Sequence, residues 1–360
     1  MHTRVAGAAD IPAAVSDALA GGPPVAVLPP GAGVPAAWQL AGPPLESGAV
    51  LLVGTSGSTG TPKGVLLSRP ALVAATAATH GRLGGPGHWV CPLPLHYVAG
   101  VMTVVRAALG GTRFSPVPAD LTALPQYPGR NYVSVVAAQL HRALESDETT
   151  RLLAGFNVVL VGGSAIPAGL LADGRAAGIN LVASYGMAET CGGCVYDGLP
   201  LDGVEVALGD DGRISVTGPM TFSGYRLDPV ASAETLDGRT VRTQDRGEWR
   251  DGRLRVLGRV DDVVISGGIN VDLGAAQRVC DSEFGPGRLQ LLAVPDERFG
   301  ARIVALTDAD VTLEACRGRL AERLATPALP RALRVVAGLP RTSTGKIDRQ
   351  RLHRLWAEGS

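Results

Sequence analysis

Gly54-Thr55-Ser56-Gly57-Ser58-Thr59-Gly60-Thr61-Pro62-Lys63-Gly64 follows the apolar run Ala49-Val50-Leu51-Leu52-Val53, which reads as a short buried strand. The eleven residues hold four glycines, five hydroxyl side chains, one proline and one lysine, with almost no bulk. Glycines let the backbone approach a ligand and turn its N–H groups inward. Hydroxyls add donors and the lysine adds a point charge, a combination that suits a polyphosphate. A flexible Gly/Ser linker is the plain alternative. It has no reason to end in Pro62-Lys63-Gly64 and run straight into Val65-Leu66-Leu67. A strict Walker A loop is excluded, because that pattern needs Gly-Lys-Ser/Thr and here the lysine lies between proline and glycine.

The chain has 360 residues, which predicts about two domains at roughly 150 residues each. Basic and acidic residues number 33 each, so the formal net charge is zero. No basic run marks nucleic acid or an anionic membrane as a partner. No charged-then-apolar leader opens the sequence, and no apolar stretch reaches the ~18 residues of a membrane span. A cytoplasmic location is the expectation. The cysteines, Cys91, Cys191, Cys194, Cys280 and Cys316, are odd in number and scattered, which argues against a disulfide framework. Cys191-Gly192-Gly193-Cys194 is a lone pair without the second pair that zinc requires, and both thiols read as small residues near a site.

Among the 33 basic residues only Lys63 and Lys346 are lysine. A compact ammonium is not interchangeable with a planar guanidinium. The two lysines therefore mark places where arginine does not serve. Lys63 closes the first glycine-rich loop, and Lys346 lies in a second, Arg341-Thr342-Ser343-Thr344-Gly345-Lys346-Ile347-Asp348.

The pattern along the chain predicts helices over 12–20, 72–83, 139–145, 167–178, 273–284 and 313–324, with an apolar helix from 100 to 109. Strands are expected over 25–28, 49–53, 112–117, 132–136, 157–161 and 180–184. The alternation implies parallel strands with crossover helices, whose ligand sites lie beyond the strand carboxyl ends. After Gly203 short strands separated by Asp211-Gly212, Asp237-Gly238 and Asp251-Gly252 turns suggest a small β-barrel. The last hundred residues read as a compact α/β module, with further strands over 289–294, 303–307 and 334–336.

The loop at 54–64 resembles the phosphate loop of the adenylate-forming superfamily, which includes acyl-CoA synthetases and peptide-synthetase adenylation domains. Further stretches resemble that family's signatures in its order, from about Val50 to the carboxyl terminus. The resemblance implies an α/β fold. It has a large N-terminal domain (1–258) with parallel-rich sheets, a β-barrel subdomain and a shortened N-terminal lobe. A small mobile α/β domain (259–360) follows, with its hinge near Asp261. By resemblance Thr55, Ser56, Gly57, Ser58, Thr59, Gly60 and Lys63 bind ATP phosphates. Gly162, Gly163 and Ser164 line the nucleotide and acyl sites. In Ser184-Tyr185-Gly186-Met187-Ala188-Glu189-Thr190, Tyr185 stacks on adenine, Gly186 and Met187 border it, Glu189 holds Mg²⁺ and Thr190 contacts phosphate. Ala188 stands where the family commonly has threonine. Asp245 takes the ribose hydroxyls, a job suited to a charged acceptor; alone it would read as a surface turn. Arg259 contacts ribose or phosphate, and Asp261 absorbs the dihedral change between two orientations. Ser266-Gly267-Gly268-Ile269-Asn270 is similar to the loop used in thioester formation, with Ile269 where many relatives have glutamate.

Lys346 matches the catalytic lysine that stabilises charge on the α-phosphate. His96, with Tyr97, Ser184 and Gly186, borders the acyl pocket by resemblance; a histidine capping the following helix is the alternative. The short chain, Pro94-Leu95-His96-Tyr97-Val98-Ala99-Gly100 and the stretch 185–198 together resemble the short actinobacterial form of the o-succinylbenzoate–CoA ligases. That resemblance implies 2-succinylbenzoate, ATP and CoA as substrates, Mg²⁺ as cofactor, a place in menaquinone biosynthesis and a homodimer. A ligase for another aryl or fatty acid, an enzyme loading a carrier protein, and a non-catalytic AMP-binding protein remain alternatives.

Overall fold

The computed structural model describes residues 3–46, 48–55, 63–297, 300–341 and 347–358. They divide into two compact units. One comprises 1–207, 215–243 and 249–254; the other comprises 208–214, 244–248 and 255–360. Among the described residues no helix is long and apolar enough to cross a membrane.

In the first unit, Arg4–Ala6 (β1), Val25–Val27 (β2), Ala49–Gly54 (β3), Gly64–Ser68 (β4) and the short strand Gly224–Tyr225 form one sheet in that order. β1, β2 and β3 run parallel, and β4 returns antiparallel to β3 with Gly54 opposite Gly64. The expected phosphate loop is thus the connection of a β-hairpin. The helix α1 (Ile11–Leu19) links β1 to β2. After β4, Ser68 caps α2 (Arg69–Leu83) by accepting from the Ala71 N–H at 3.3 Å, with Pro70 in its first turn.

The second sheet contains His88–Cys91 (β5), Phe114–Pro116 (β6), Asn131–Val136 (β7), Val158–Gly162 (β8), Leu181–Met187 (β9), Gly192–Tyr196 (β10) and Leu199–Pro200 (β11). Its order is β11-β10-β9-β8-β7-β5-β6. From β9 to β6 every pairing is parallel, whereas β10 and β11 are antiparallel additions. The crossovers are α3 (Val98–Leu109), the pair α4 (Ala137–Leu144) and α5 (Asp147–Ala154), and α6 (Ala168–Ala176). β8 is a continuous Val/Leu run up to Gly162, and β7 is apolar apart from Asn131 and Ser134, with both strands buried along nearly their whole length, as in a parallel sheet covered on both faces. Val90, Val133, Val135, Leu140, Val159, Val161 and Leu181 form one buried cluster there.

The strands after Gly203 build a five-stranded sheet in the place expected of a barrel. Glu205–Leu208, Arg213–Thr217, Thr240–Arg250 and Leu236–Asp237 lie in that order, and Arg253–Arg259 branches from Thr240–Arg250. Asp251-Gly252 is the two-residue turn of that last hairpin. Here one alternative is removed and one expectation is corrected. Asp245 lies within the eleven-residue strand Thr240–Arg250, where a surface turn was the alternative. Tyr185 lies inside β9 rather than beyond its end, because β10 folds back and pairs with it.

The second unit has a sheet of Ile269–Asp272, Val263–Ser266, Gly300–Thr307 and Leu289–Asp296, with Leu333–Val335 parallel to Gly300–Thr307. Leu273–Phe284 and Leu313–Ala321 pack through Cys280, Cys316 and Leu320 against Leu289, Ile303 and Ala305. Leu352 of the helix Arg349–Glu358 belongs to a second cluster with Leu292, Val294, Val304 and Leu306.

Candidate active site

Phosphate chemistry in a hairpin connection needs tight anchors at both ends. The Thr55 N–H donates to the Lys63 carbonyl at 3.0 Å, closing the neck of the loop. Gly64 is closely packed: a Cβ there would sit 2.9 Å from Leu52 Cδ1 and 3.1 Å from Arg226 Cβ. Arg226 is itself buried and donates to the carbonyls of Trp38, Pro43 and Pro44 and to Glu46, riveting the strand beside β4 to the preceding segment. The candidates Ser56, Gly57, Ser58, Thr59 and Gly60 lie outside the described residues, as does Lys346.

Gly162 ends β8, and Gly163 and Ser164 follow it exposed at the strand's carboxyl end. Ser184, on the adjacent strand β9, lies close by: a Cβ on Gly162 would be 3.2 Å from the Ser184 carbonyl. Ser184, Tyr185, Gly186 and Met187 run out along β9 opposite β10. Gly186 is required by this close pairing, since a Cβ would fall 2.0 Å from the Gly192 carbonyl oxygen and 2.7 Å from Gly193 Cα. The single turn Ala188–Thr190 then presents Glu189. Thr190 is fully buried. Its hydroxyl accepts from the Met187 N–H at 3.0 Å and donates to the Gly192 carbonyl at 2.7 Å. In this placement the hydroxyl braces the turn that carries Glu189.

Glu189 is half-buried, and its Oε1 accepts from the Tyr225 hydroxyl at 2.7 Å. Lys63 Nζ lies 4.7 Å from the centroid of the same Tyr225 ring. The loop's lysine and the expected metal carboxylate thus meet at one aromatic side chain, which the sequence reading did not single out. A hard carboxylate oxygen with no cationic partner among the described residues fits Mg²⁺. No cluster of three or more potential ligands occurs among the described residues. One carboxylate plus substrate phosphates is a manner in which Mg²⁺ is commonly held.

His96 lies between β5 and α3, 7% exposed, with its ring 4.2 Å from that of Tyr97. Burial pushes its pKa below the ordinary histidine value, so the ring is neutral near pH 7. Its Nε2 is buried without a partner among the described residues.

Arg106, also outside the sequence-derived candidates, is the other buried cation here. It sits on α3 at 3% exposure, its guanidinium 5.1 Å over Trp89 of β5. Its Nη2 is 3.7 Å from where a Cβ on Gly192 would stand, against the turn that follows Glu189. Among the described residues no carboxylate pairs with it, and its Nε has no partner. His80 of α2 shares this interior. Burial first, and the Arg106 charge second, lower its pKa to about 4. Cys191 and Cys194 are fully buried, and burial pushes both thiols up to about 12, so they are inert walls rather than nucleophiles.

In the second unit Asp261 grips Arg259 with both oxygens, at 2.7 and 2.8 Å. The charges of Asp245 and Asp262 add to Asp261 in raising the Arg259 pKa. Asp262 is buried and pairs with Arg349, tying the segment after Arg259 to the helix Arg349–Glu358. Asp245, Arg259 and Asp261 are thus gathered in one unit, and Thr55, Lys63, 162–164, 184–190 and His96 in the other.

The family model described as AMP-binding enzyme matches residues 34–226. A probable 2-succinylbenzoate–CoA ligase of Mycobacterium tuberculosis (strain CDC 1551 / Oshkosh) is 39% identical over 335 residues, covering 88% of this chain and 87% of that protein. The o-succinylbenzoate CoA synthetase (MenE) of Bacillus subtilis, solved with the acyl-adenylate intermediate OSB-AMP, superposes with TM-score 0.81 at 21% identity. That match covers 97% of this chain and 87% of that one. The same Bacillus subtilis protein with ATP and magnesium ion superposes with TM-score 0.69 at 24% identity, over 86% of this chain and 71% of that one. The structural likeness gives the fold, and the sequence match gives the kinship: the chain belongs to the AMP-binding enzyme family.

Proposed function

We propose that this chain joins 2-succinylbenzoate to coenzyme A in two steps, as an AMP-forming acid–thiol ligase of menaquinone biosynthesis. In the first, an acid carboxylate attacks the α-phosphate of ATP, an acyl-adenylate forms and pyrophosphate leaves. In the second, the CoA thiol attacks the acyl carbonyl and AMP leaves. Two anions, the acid carboxylate and the ATP polyphosphate, must be brought together in the first step. Bound Mg²⁺ supplies charge neutralisation on the phosphates. Glu189 holds the ion, and Lys63 places an ammonium at the neck of the phosphate loop. Lys346 stabilises the charge that builds on the α-phosphate. His96, neutral and unpartnered at Nε2 among the described residues, offers a single N–H to the reacting carboxylate. Asp245 and Arg259 hold the ribose. Asp261 is the hinge at which the two half-reactions exchange. A homodimer and a cytoplasmic location accompany this reading.

The observation that carries the choice of acid is Arg106. A guanidinium left in an apolar interior without a carboxylate is costly. The substrate is a dicarboxylic acid, and its second carboxylate has the charge and planar geometry to take a two-pronged hydrogen bond from such a group. Neutral His80 beside it leaves the interior with one positive charge to match one carboxylate. A simple fatty acid has no use for that charge.

The test is pyrophosphate release with ATP and Mg²⁺, comparing 2-succinylbenzoate, benzoate and a medium-chain fatty acid, each with and without CoA. Release with 2-succinylbenzoate and a CoA thioester product is the expected result. Release only with another acid removes the proposed substrate while retaining the adenylation chemistry. No release with any acid returns the chain to a nucleotide-binding role.

A further inference from the structure

Tyr225 joins two charged groups that are far apart in sequence. It lies on the short strand beside β4, opposite Val65, and is 7% exposed. Several contacts hold it, among them a side-chain hydrogen bond with Thr235 and the Asp228 N–H donating to its carbonyl at 3.3 Å. Its backbone N–H donates to Ser232 Oγ at 2.8 Å, Phe222 packs on it edge to face at 4.9 Å, and its hydroxyl donates to Glu189 at 2.7 Å. Lys63 Nζ lies over its ring face. Lysine and glutamate so close would ordinarily pair and cancel. Among the described residues they do not: the ammonium takes the π face, and the carboxylate takes the hydroxyl at the ring's edge.

We propose that Tyr225 is a positioning residue that holds Lys63 and Glu189 apart and aims each at its own ligand, the ammonium at nucleotide phosphate and the carboxylate at the divalent cation. Oriented outer partners of a metal-binding carboxylate commonly change metal affinity by about 10- to 100-fold. The inference rests on the proposed adenylation role of Lys63 and Glu189, and on nothing about the acid.

The experiment separates the two uses of the ring. Tyr225→Phe keeps the π face and removes the hydroxyl; Tyr225→Leu removes both. Mn²⁺ binding is read by electron paramagnetic resonance on full-length protein saturated with α,β-methylene-ATP. Binding of that nucleotide in EDTA is read by calorimetry, and folding by circular dichroism and melting. The expected result is that Tyr225→Phe weakens Mn²⁺ about tenfold or more and leaves metal-free nucleotide binding at the wild-type value. Tyr225→Leu is expected to weaken both. Wild-type Mn²⁺ affinity in a folded Tyr225→Phe protein overturns the proposal, and so does unchanged nucleotide affinity in a folded Tyr225→Leu protein. If Tyr225→Leu does not fold, the Phe variant alone decides. Because no acid enters these assays, failure here is distinct from failure to adenylate 2-succinylbenzoate, which the wild-type pyrophosphate assay reports.

Discussion

Acid should weaken this fold through one histidine, and the loss can be worked out. His80 is 7% exposed on α2, its Nε2 without a partner among the described residues. Burial first, and the Arg106 charge second, lower its pKa from 6.5 to about 4. In the unfolded chain the ring takes a proton near its ordinary pKa; in the fold it stays neutral until far lower pH. Between those values the unfolded state binds the extra proton, so stability rises with pH and is lost as pH falls. The contribution is fully present above the unfolded pKa. By pH 5 the loss comes to about 2 kcal/mol, and it levels off at about 3 kcal/mol near the folded pKa. His80→Gln removes the titrating ring and keeps a neutral polar side chain. Urea unfolding at pH 7.5 and pH 5 can be followed by the fluorescence of buried Trp38 and Trp89. The wild-type protein should lose about 2 kcal/mol more than the variant between the two conditions. His96 and His353 are also held below their ordinary pKa by burial, but they titrate in both proteins and cancel in the comparison. Equal losses in the two proteins would refute the reasoning, because they would mean that His80 is not a suppressed titrating group.

Three further outcomes are expected. Arg106→Leu should lower kcat/KM for 2-succinylbenzoate about 100-fold, the scale of removing one partner of a buried charge pair, while barely changing any turnover of benzoate; an equal fall for both acids would show that Arg106 only supports the fold. Gly186→Ala should lower the melting temperature sharply, at a cost of about 3 kcal/mol or more, because the new Cβ meets only backbone atoms of β10, and an unchanged melting curve would contradict the β9–β10 register. Lys346→Ala should cripple pyrophosphate release while sparing thioester formation from supplied acyl-adenylate; equal loss of both half-reactions would remove the assigned role.

The two kinds of site residue differed in how they could be found. The candidate phosphate loop stood out in the sequence because the chemistry it would need is local: backbone N–H groups, hydroxyls and an ammonium must follow one another along the chain. Glu189 stood out as a candidate for a similar reason, since Gly186 and the turn after it sit in one short string. Asp245 was found as a candidate, but the eleven-residue strand around it was not, because polar and charged residues dominate Thr243-Gln244-Asp245-Arg246-Gly247-Glu248 and hide any alternation. The hairpin Val263–Ser266 with Ile269–Asp272 went unseen because Gly267-Gly268 reads as part of a loop motif. Arg106 was hidden by the chain's heavy use of arginine. Its nearest sequence neighbours on α3, Val104, Val105, Ala107 and Ala108, are apolar, and none of them signals a charge without a partner.

The amino-acid order alone determined the parallel α/β class, the adenylate-forming signatures and the residue types each motif requires, because helix period, strand alternation and loop chemistry are written within windows of ten or so residues. Only the tertiary structure decided how charges are shared among distant elements. Lys63 from the loop, Glu189 from the turn after β9 and Tyr225 from the strand beside β4 meet at one ring. His80 of α2, Trp89 of β5, Arg106 of α3 and Gly192 of β10 converge in one interior. Electrostatic effects depend on distance and burial in three dimensions, and sequence separation carries no information about either.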